Sequence, residues 1–174
     1  APDLNEGQPA VRLEIKKDAG LADATLYDLR TGTGIWESTK RSYPRFFVQY
    51  LKDRARVLMI GAGGGWETAM TLDFPDREVT AVEIDPVIVD LATNKYADLV
   101  GRIYEDPRVT LHNQDGRAFV ARDRSRYDII QLNNINNWKG MVNGSHLFHE
   151  NNLYTQEAII DYYRHLSPAG ILVI

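Results

Sequence analysis

The chain has 174 residues, 44% of them apolar and 25% charged, a globular composition with enough length for a proper core. A net charge of −4 and a pI near 5.6 give none of the basic footprint of a general nucleic-acid binder. The absence of cysteine excludes disulfides, thiolate metal sites and a cysteine nucleophile. No stretch approaches the roughly 20 apolar residues of a membrane span, and the first residues do not resemble a signal peptide, so a soluble, cytoplasmic domain is expected.

Residues 1–42 read as a lead-in followed by a small β appendage. Pro2, Asn5, Gly7 and Pro9 punctuate the first ten positions, and Val11 to Ile15 then alternates apolar and charged residues at the period of a half-buried strand. Ala24 to Leu29 is its expected partner, with Gly32 to Trp36 belonging to the same appendage. Residues 43–174 are read as the main domain. Its first element is a helix over Tyr43 to Leu51, whose Phe46, Phe47, Tyr50 and Leu51 share one face at the α-helical period and are expected to pack.

From Arg56 onward the pattern alternates: strand 57–60, helix 66–74, strand 78–84, helix 86–100, strand 109–113, helix 116–122, strand 127–132, a long polar connection, helix 155–166 and strand 170–174. This alternation predicts an α/β fold, a doubly wound parallel sheet in the order 3-2-1-4-5. Because Gly170 to Ile174 reads as a strand cut at its last residue, the sequence is expected to be a piece of a longer protein. Asp85 and Pro86 form a cap and first helical turn, and Ser167-Pro168-Ala169-Gly170 is expected to stop the last helix. Arg117, Arg122, Arg124 and Arg126 read as a solvated helix end.

Val57-Leu58-Met59-Ile60 runs into Gly61-Ala62-Gly63-Gly64-Gly65 at G-x-G-x-G spacing, which permits a tight turn and close approach of a ligand to the backbone. Glu83 follows at the end of the second strand, about 20 positions on, where an acidic group can hold ribose hydroxyls. Ile84 stands beside it. Asp115, with Gly116, ends the third strand on the same edge; it can accept an adenine amine or cap the next helix. Asn133 ends the fourth strand, where an amide can orient a substrate but cannot serve as a carboxylate base. Tyr154, at the start of the last helix, is a candidate for the acceptor pocket, while Tyr162 and Tyr163 are expected to pack. His146 and His149 with Glu150 lack a third ligand at a recognisable spacing, so no metal site is assigned. Trp138 lies on a long connection of the kind that forms lids.

Taken together, Val57 to Glu67, Val82-Glu83-Ile84-Asp85, Gln114 to Phe119, Tyr127-Asp128-Ile129-Ile130 and Leu153-Tyr154-Thr155 through Ile174 resemble the spermidine synthase group of class I S-adenosylmethionine-dependent methyltransferase folds. The stretch Glu150-Asn151-Asn152-Leu153-Tyr154-Thr155 is similar to one in uncharacterised spermidine synthase-like proteins, some of them attached to membrane segments. The resemblance implies a donor site with Gly61, Ala62, Gly63 and Gly65 along the methionine part, Glu83 and Ile84 at the ribose, and Asp115 with Gly116 by the adenine; Asn133 closes it. The chain departs from the aminopropyltransferases of this group at two positions. They carry an aspartate in the glycine loop where Gly64 stands, and a catalytic aspartate where Asn133 stands. The expectation is therefore an S-adenosylmethionine-binding domain, or one for a decarboxylated or methylthioadenosine-type relative, that passes a methyl group to a small-molecule acceptor. A non-catalytic nucleoside-binding module and an aminopropyltransferase with a substitute base are the alternatives, and nicotinamide-dependent oxidoreduction shares only the glycine loop and Glu83. A homodimer is compatible with the sequence.

Overall fold

The computed structural model describes residues 12–16, 22–30, 44–133 and 152–174. Strands β1 (Arg12–Lys16) and β2 (Ala22–Tyr27) pair antiparallel as a hairpin. A 3-10 helix, Pro44–Leu51, leads into β3 (Ala55–Ile60). There follow α1 (Trp66–Leu72), β4 (Arg77–Glu83), α2 (Pro86–Asp90), β5 (Val109–Asn113), α3 (Gly116–Arg122), β6 (Tyr127–Leu132), α4 (Gln156–His165) and β7 (Leu166–Val173). Strands β3 to β7 form one parallel sheet in the order β5-β4-β3-β6-β7, which is the predicted 3-2-1-4-5.

The central strands are apolar on both sides because both sides are covered. Leu58, Ile60, Ile130 and Leu132 face Phe119, Val120, Ala158 and Tyr162 of α3 and α4. The alternate positions Val57, Met59, Ala81 and Ile129 face Val48 of the 3-10 helix and Leu72 of α1. The chain enters the sheet at its middle, adds β4 and β5 on one side, then crosses to β6 on the other. The resulting switch point lies between β3 and β6, and in such sheets the crevice outside the carboxyl ends of the strands is where ligands sit.

Four local expectations give way. The helix predicted over 86–100 is α-helical only to Asp90; a π turn follows over Leu91–Lys95, with Tyr96 N–H donating five residues back to Leu91 and the Thr93 hydroxyl occupying the Val89 carbonyl. The segment 44–51 has about three residues per turn rather than 3.6, so positions three apart eclipse. Phe46 and Gln49 are therefore fully buried, while Phe47, Tyr50 and Leu51 are exposed. Ser167-Pro168-Ala169 does not precede the last strand but lies within it, at a register irregularity against β6 that an edge strand tolerates. Of the arginines read as solvated, Arg117 pairs with Asp161 at 2.8 Å and Arg126 donates to the Leu166 carbonyl.

No helix among the described residues is long and apolar enough to cross a membrane. Gly32 to Trp36, Trp138, His146, His149 and Glu150 lie outside the described residues.

Candidate functional site

The glycine loop joins β3 to α1, and its glycines are there for different physical reasons. Gly61, Gly63 and Gly65 have φ of 79°, 55° and 86°, a region that side-chain-bearing residues rarely enter. Space over Gly63 is open, since a Cβ there would meet nothing within 4 Å. Gly64 has no unusual φ but no room: a Cβ would stand 2.5 Å from the Thr25 carbonyl oxygen and 2.7 Å from Leu26 Cδ2. The hairpin thus rests directly on the loop, and the ring of Tyr27 lies 4.4 Å from that of Trp66 at the start of α1.

Glu83 reaches back from the end of β4 to hold this loop. One carboxylate oxygen accepts from the Gly63 N–H at 2.8 Å and the other from the Asp85 N–H at 2.9 Å. The side chain is buried, at 6% exposure. Each oxygen retains a free lone pair, so the carboxylate can still accept from a ligand hydroxyl. Ile84, next in the chain, is 64% exposed and offers an apolar surface at the rim. Asn113 secures the same strand end by donating to the Glu83 and Ile84 carbonyls.

Asp115 caps α3, its carboxylate accepting from the Ala118 N–H at 2.8 Å. The side chain is exposed, and its second oxygen remains available at the edge. Gly116 is buried because a Cβ would meet Ile60 Cγ2 at 2.6 Å. Leu153 lies against the same position, which brings the start of α4, and Tyr154 with it, to this end of the sheet. Tyr154 is 38% exposed. Tyr162 packs as expected, fully buried and donating to the Leu153 carbonyl, whereas Tyr163 is solvent-exposed.

Asn133 follows β6 at the switch point, its N–H donating to the Ile60 carbonyl beside Gly61. It is 5% exposed, and its Oδ1 accepts from Gln131 Nε2 at 2.6 Å. Asn133 Nδ2 and Gln131 Oε1 are both buried without a partner among the described residues. An amide here donates and accepts hydrogen bonds but takes no proton at neutral pH.

Sequence reasoning missed three side chains at this edge. Tyr104 backs the glycine loop, its single O–H shared between the Gly63 carbonyl at 2.9 Å and the Ala62 carbonyl at 3.2 Å; burial, with Glu83 and Glu67 nearby, raises its pKa and keeps it a donor. Arg45 donates to the Leu132 carbonyl at 2.9 Å. Glu67, in the first turn of α1, has its pKa raised by burial, with Arg45 opposing that shift. Only Glu67 had a signal, its place immediately after the glycines.

Gly61 to Gly65, Glu83 with Ile84, Asp115 with Gly116, and Asn133 thus stand at the carboxyl ends of four adjacent strands. An open cradle over Gly63, a carboxylate with spare lone pairs and an apolar rim suit a nucleoside with a tail along the loop. Residues 46–174 match the family model described as the spermine/spermidine synthase domain. A polyamine aminopropyltransferase from Streptococcus uberis is 31% identical over 119 residues, or 68% of this chain and 38% of that protein. A spermidine synthase crystallised with the transition state analogue AdoDATO has a TM-score of 0.59 at 16% identity, over 86% of this chain and 45% of that one. Human methyltransferase-like protein 13 in complex with SAH gives 0.55 at 19%, over 81% and 64%. The two structural likenesses show a common fold, and the chain spans well under half the length of the curated relative.

Proposed function

The chain belongs to the spermine/spermidine synthase domain family, and from that premise we propose that it binds S-adenosylmethionine, or its decarboxylated relative, and passes the sulfonium methyl group to a small nucleophilic acceptor, the adenosyl thioether being the leaving group. Bound there, the donor's sulfonium would supply an activated carbon. Glu83 would accept from the ribose hydroxyls, Asp115 and Gly116 would flank the adenine, and the glycine loop would line the tail. The solved neighbours with AdoDATO and SAH support a nucleoside of this class.

The observation that carries methyl over aminopropyl transfer is the uncharged, buried Asn133 at the end of β6, already hydrogen-bonded to Gln131. A polyamine amine, with a pKa close to the roughly 10.4 of lysine, must lose a proton before it attacks. A positioned base contributes about 10²- to 10⁴-fold to such a step, and Asn133 cannot be that base. Asp128 is at the far end of the same strand, where it accepts from the Arg56 N–H and the Ser167 hydroxyl. Methyl transfer depends mainly on alignment of the nucleophile with the sulfonium carbon, so it suffers less from the missing carboxylate.

The test is an assay of the full-length protein with decarboxylated S-adenosylmethionine and putrescine, beside its Asn133→Asp variant. Negligible aminopropyl transfer by the unmodified protein is expected, with a gain on restoring the aspartate. Robust transfer by the unmodified protein would overturn the methyl reading in favour of an aminopropyltransferase, the activity named for its curated relative.

A further inference from the structure

The carboxamides at the end of β6 are left incomplete by the reading above. Gln131 and Asn133 alternate along one strand, so both side chains leave the face of the sheet that Ile129 turns toward Val48 of the 3-10 helix. Gln131 Nε2 donates to Asn133 Oδ1 at 2.6 Å, which commits the carbonyl end of Asn133 and leaves its NH2 as the free end, buried and without a partner. Arg45 comes from the same 3-10 helix, and its Nη1 donates to the Leu132 carbonyl at 2.9 Å. That bond uses one of five N–H donors, and Arg45 has no other hydrogen bond and no ion pair among the described residues. The C=O and N–H of one peptide unit point in opposite directions. Because the Asn133 N–H faces Ile60 of β3, the Leu132 carbonyl, and Arg45 with it, lies on the β7 side of β6, away from the glycine loop.

A cation with unused donors and an unpartnered NH2 thus meet at the peptide between Leu132 and Asn133. We infer that Arg45 and Asn133 form the acceptor subsite and that the acceptor is a carboxylic acid, bound as its carboxylate, with Gln131 as the positioning residue that keeps the NH2 of Asn133 free. The inference rests on the methyl-transfer reading of the site and names the substrate class within it. A carboxylate fits the planar guanidinium fork. It accepts through both oxygens, so one can be held by Arg45 and Asn133 while the other attacks. An alkylammonium has no lone pair for either group and brings a further positive charge beside Arg45. With a pKa of roughly 4, a carboxyl is ionised at neutral pH and needs no base, the role that Asn133 cannot fill. In the transfer a carboxylate oxygen bonds to the methyl carbon, and the carbon–sulfur bond breaks with its electron pair going to sulfur. The products are a methyl ester and S-adenosylhomocysteine, and no proton moves.

The test uses the 174-residue chain. Calorimetric titration with S-adenosylhomocysteine reports the nucleoside site by itself. Hexanoate and hexylamine, equal in length and opposite in charge, are then titrated into that complex by NMR, which reads the Asn133 side-chain NH2 and the Arg45 guanidinium directly. Hexanoate is expected to bind at least about tenfold more tightly than hexylamine and to shift both signals. Arg45→Gln should abolish that preference while S-adenosylhomocysteine still binds, and Arg45→Lys should restore part of it. Gln131→Met should narrow the preference, and Asn133→Asp should reverse it. If S-adenosylhomocysteine binds but hexanoate does not, or hexylamine equals or exceeds it, the carboxylate subsite is wrong and the nucleoside reading stands. The same holds if hexanoate competes with S-adenosylhomocysteine, which would give Arg45 to the donor. If S-adenosylhomocysteine itself fails to bind, the nucleoside reading falls and takes the inference with it.

Discussion

Glu83 shows how one residue serves fold and site together. Its carboxylate joins the end of β4 to the glycine loop through the Gly63 and Asp85 N–H groups. Losing it leaves two donors unsatisfied in a covered place, each costing about 1–3 kcal/mol. Glu83→Ala is therefore expected to lower unfolding stability by roughly 2–6 kcal/mol as well as to weaken nucleoside binding by about 1–3 kcal/mol. Urea unfolding alongside methylthioadenosine titration measures both; an unaltered midpoint with lost binding would show that the loop does not depend on the carboxylate. Its position about 20 residues after the glycines was legible because the spacing follows from one strand-helix-strand unit. Its burial was not, because that depends on how the loop folds back over the strand end. Arg77 makes the same point more strongly. It reads as an ordinary charged residue before a strand, yet it is 2% exposed and donates to Gln49, Lys52, Asp53 and Asp76, closing the end of the 3-10 helix.

Between elements, α3 and α4 meet across the Arg117–Asp161 pair, at 2.8 Å and with side chains 21% and 28% exposed. The hydrogen bond from Arg117 holds the Asp161 carboxyl below its usual pKa, against a smaller opposing effect of burial. A carboxylate with a lowered native pKa stabilises the fold above its unfolded pKa of about 3.9, and that contribution is lost as pH falls through the lowered native value. Asp161→Asn is expected to cost roughly 1 kcal/mol at neutral pH, with the difference from the parent shrinking on acidification. Unfolding midpoints across an acid series check this, and a gap that stays constant with pH would remove the ion pair as its cause. The contact spans more than one loop, so the sequence offered only a cluster of arginines to interpret. By contrast, the caps at Asp85, Asp115 and Thr155 were open to reading or follow the usual chemistry, because each accepts from an N–H two or three residues along its own helix.

At the scale of the whole molecule, the hairpin and the sheet meet at Gly64. Its backbone would accommodate alanine, but a Cβ would stand 2.5 Å from the Thr25 carbonyl oxygen, so the hairpin must move. Gly64→Ala is expected to cost about 1–3 kcal/mol through overpacking. It should also change Trp66 emission, because the Tyr27 ring lies against the indole; unchanged emission and stability would place the hairpin elsewhere in solution. The parallel sheet, its order and the glycine loop were legible in the sequence itself, since short continuous apolar runs alternating with helical patterns, turn glycines and helix caps act within about ten neighbouring residues. The family resemblance likewise rests on motifs that are local runs of residues. Only the tertiary structure decided that Gly64 is kept small by Thr25, that Tyr104 backs the loop, that the 3-10 helix buries Gln49 and exposes Phe47, and that Arg45 reaches Leu132. Each of those facts depends on contact between segments far apart in the chain, where steric exclusion and hydrogen-bond geometry act in space and leave no periodic trace in sequence.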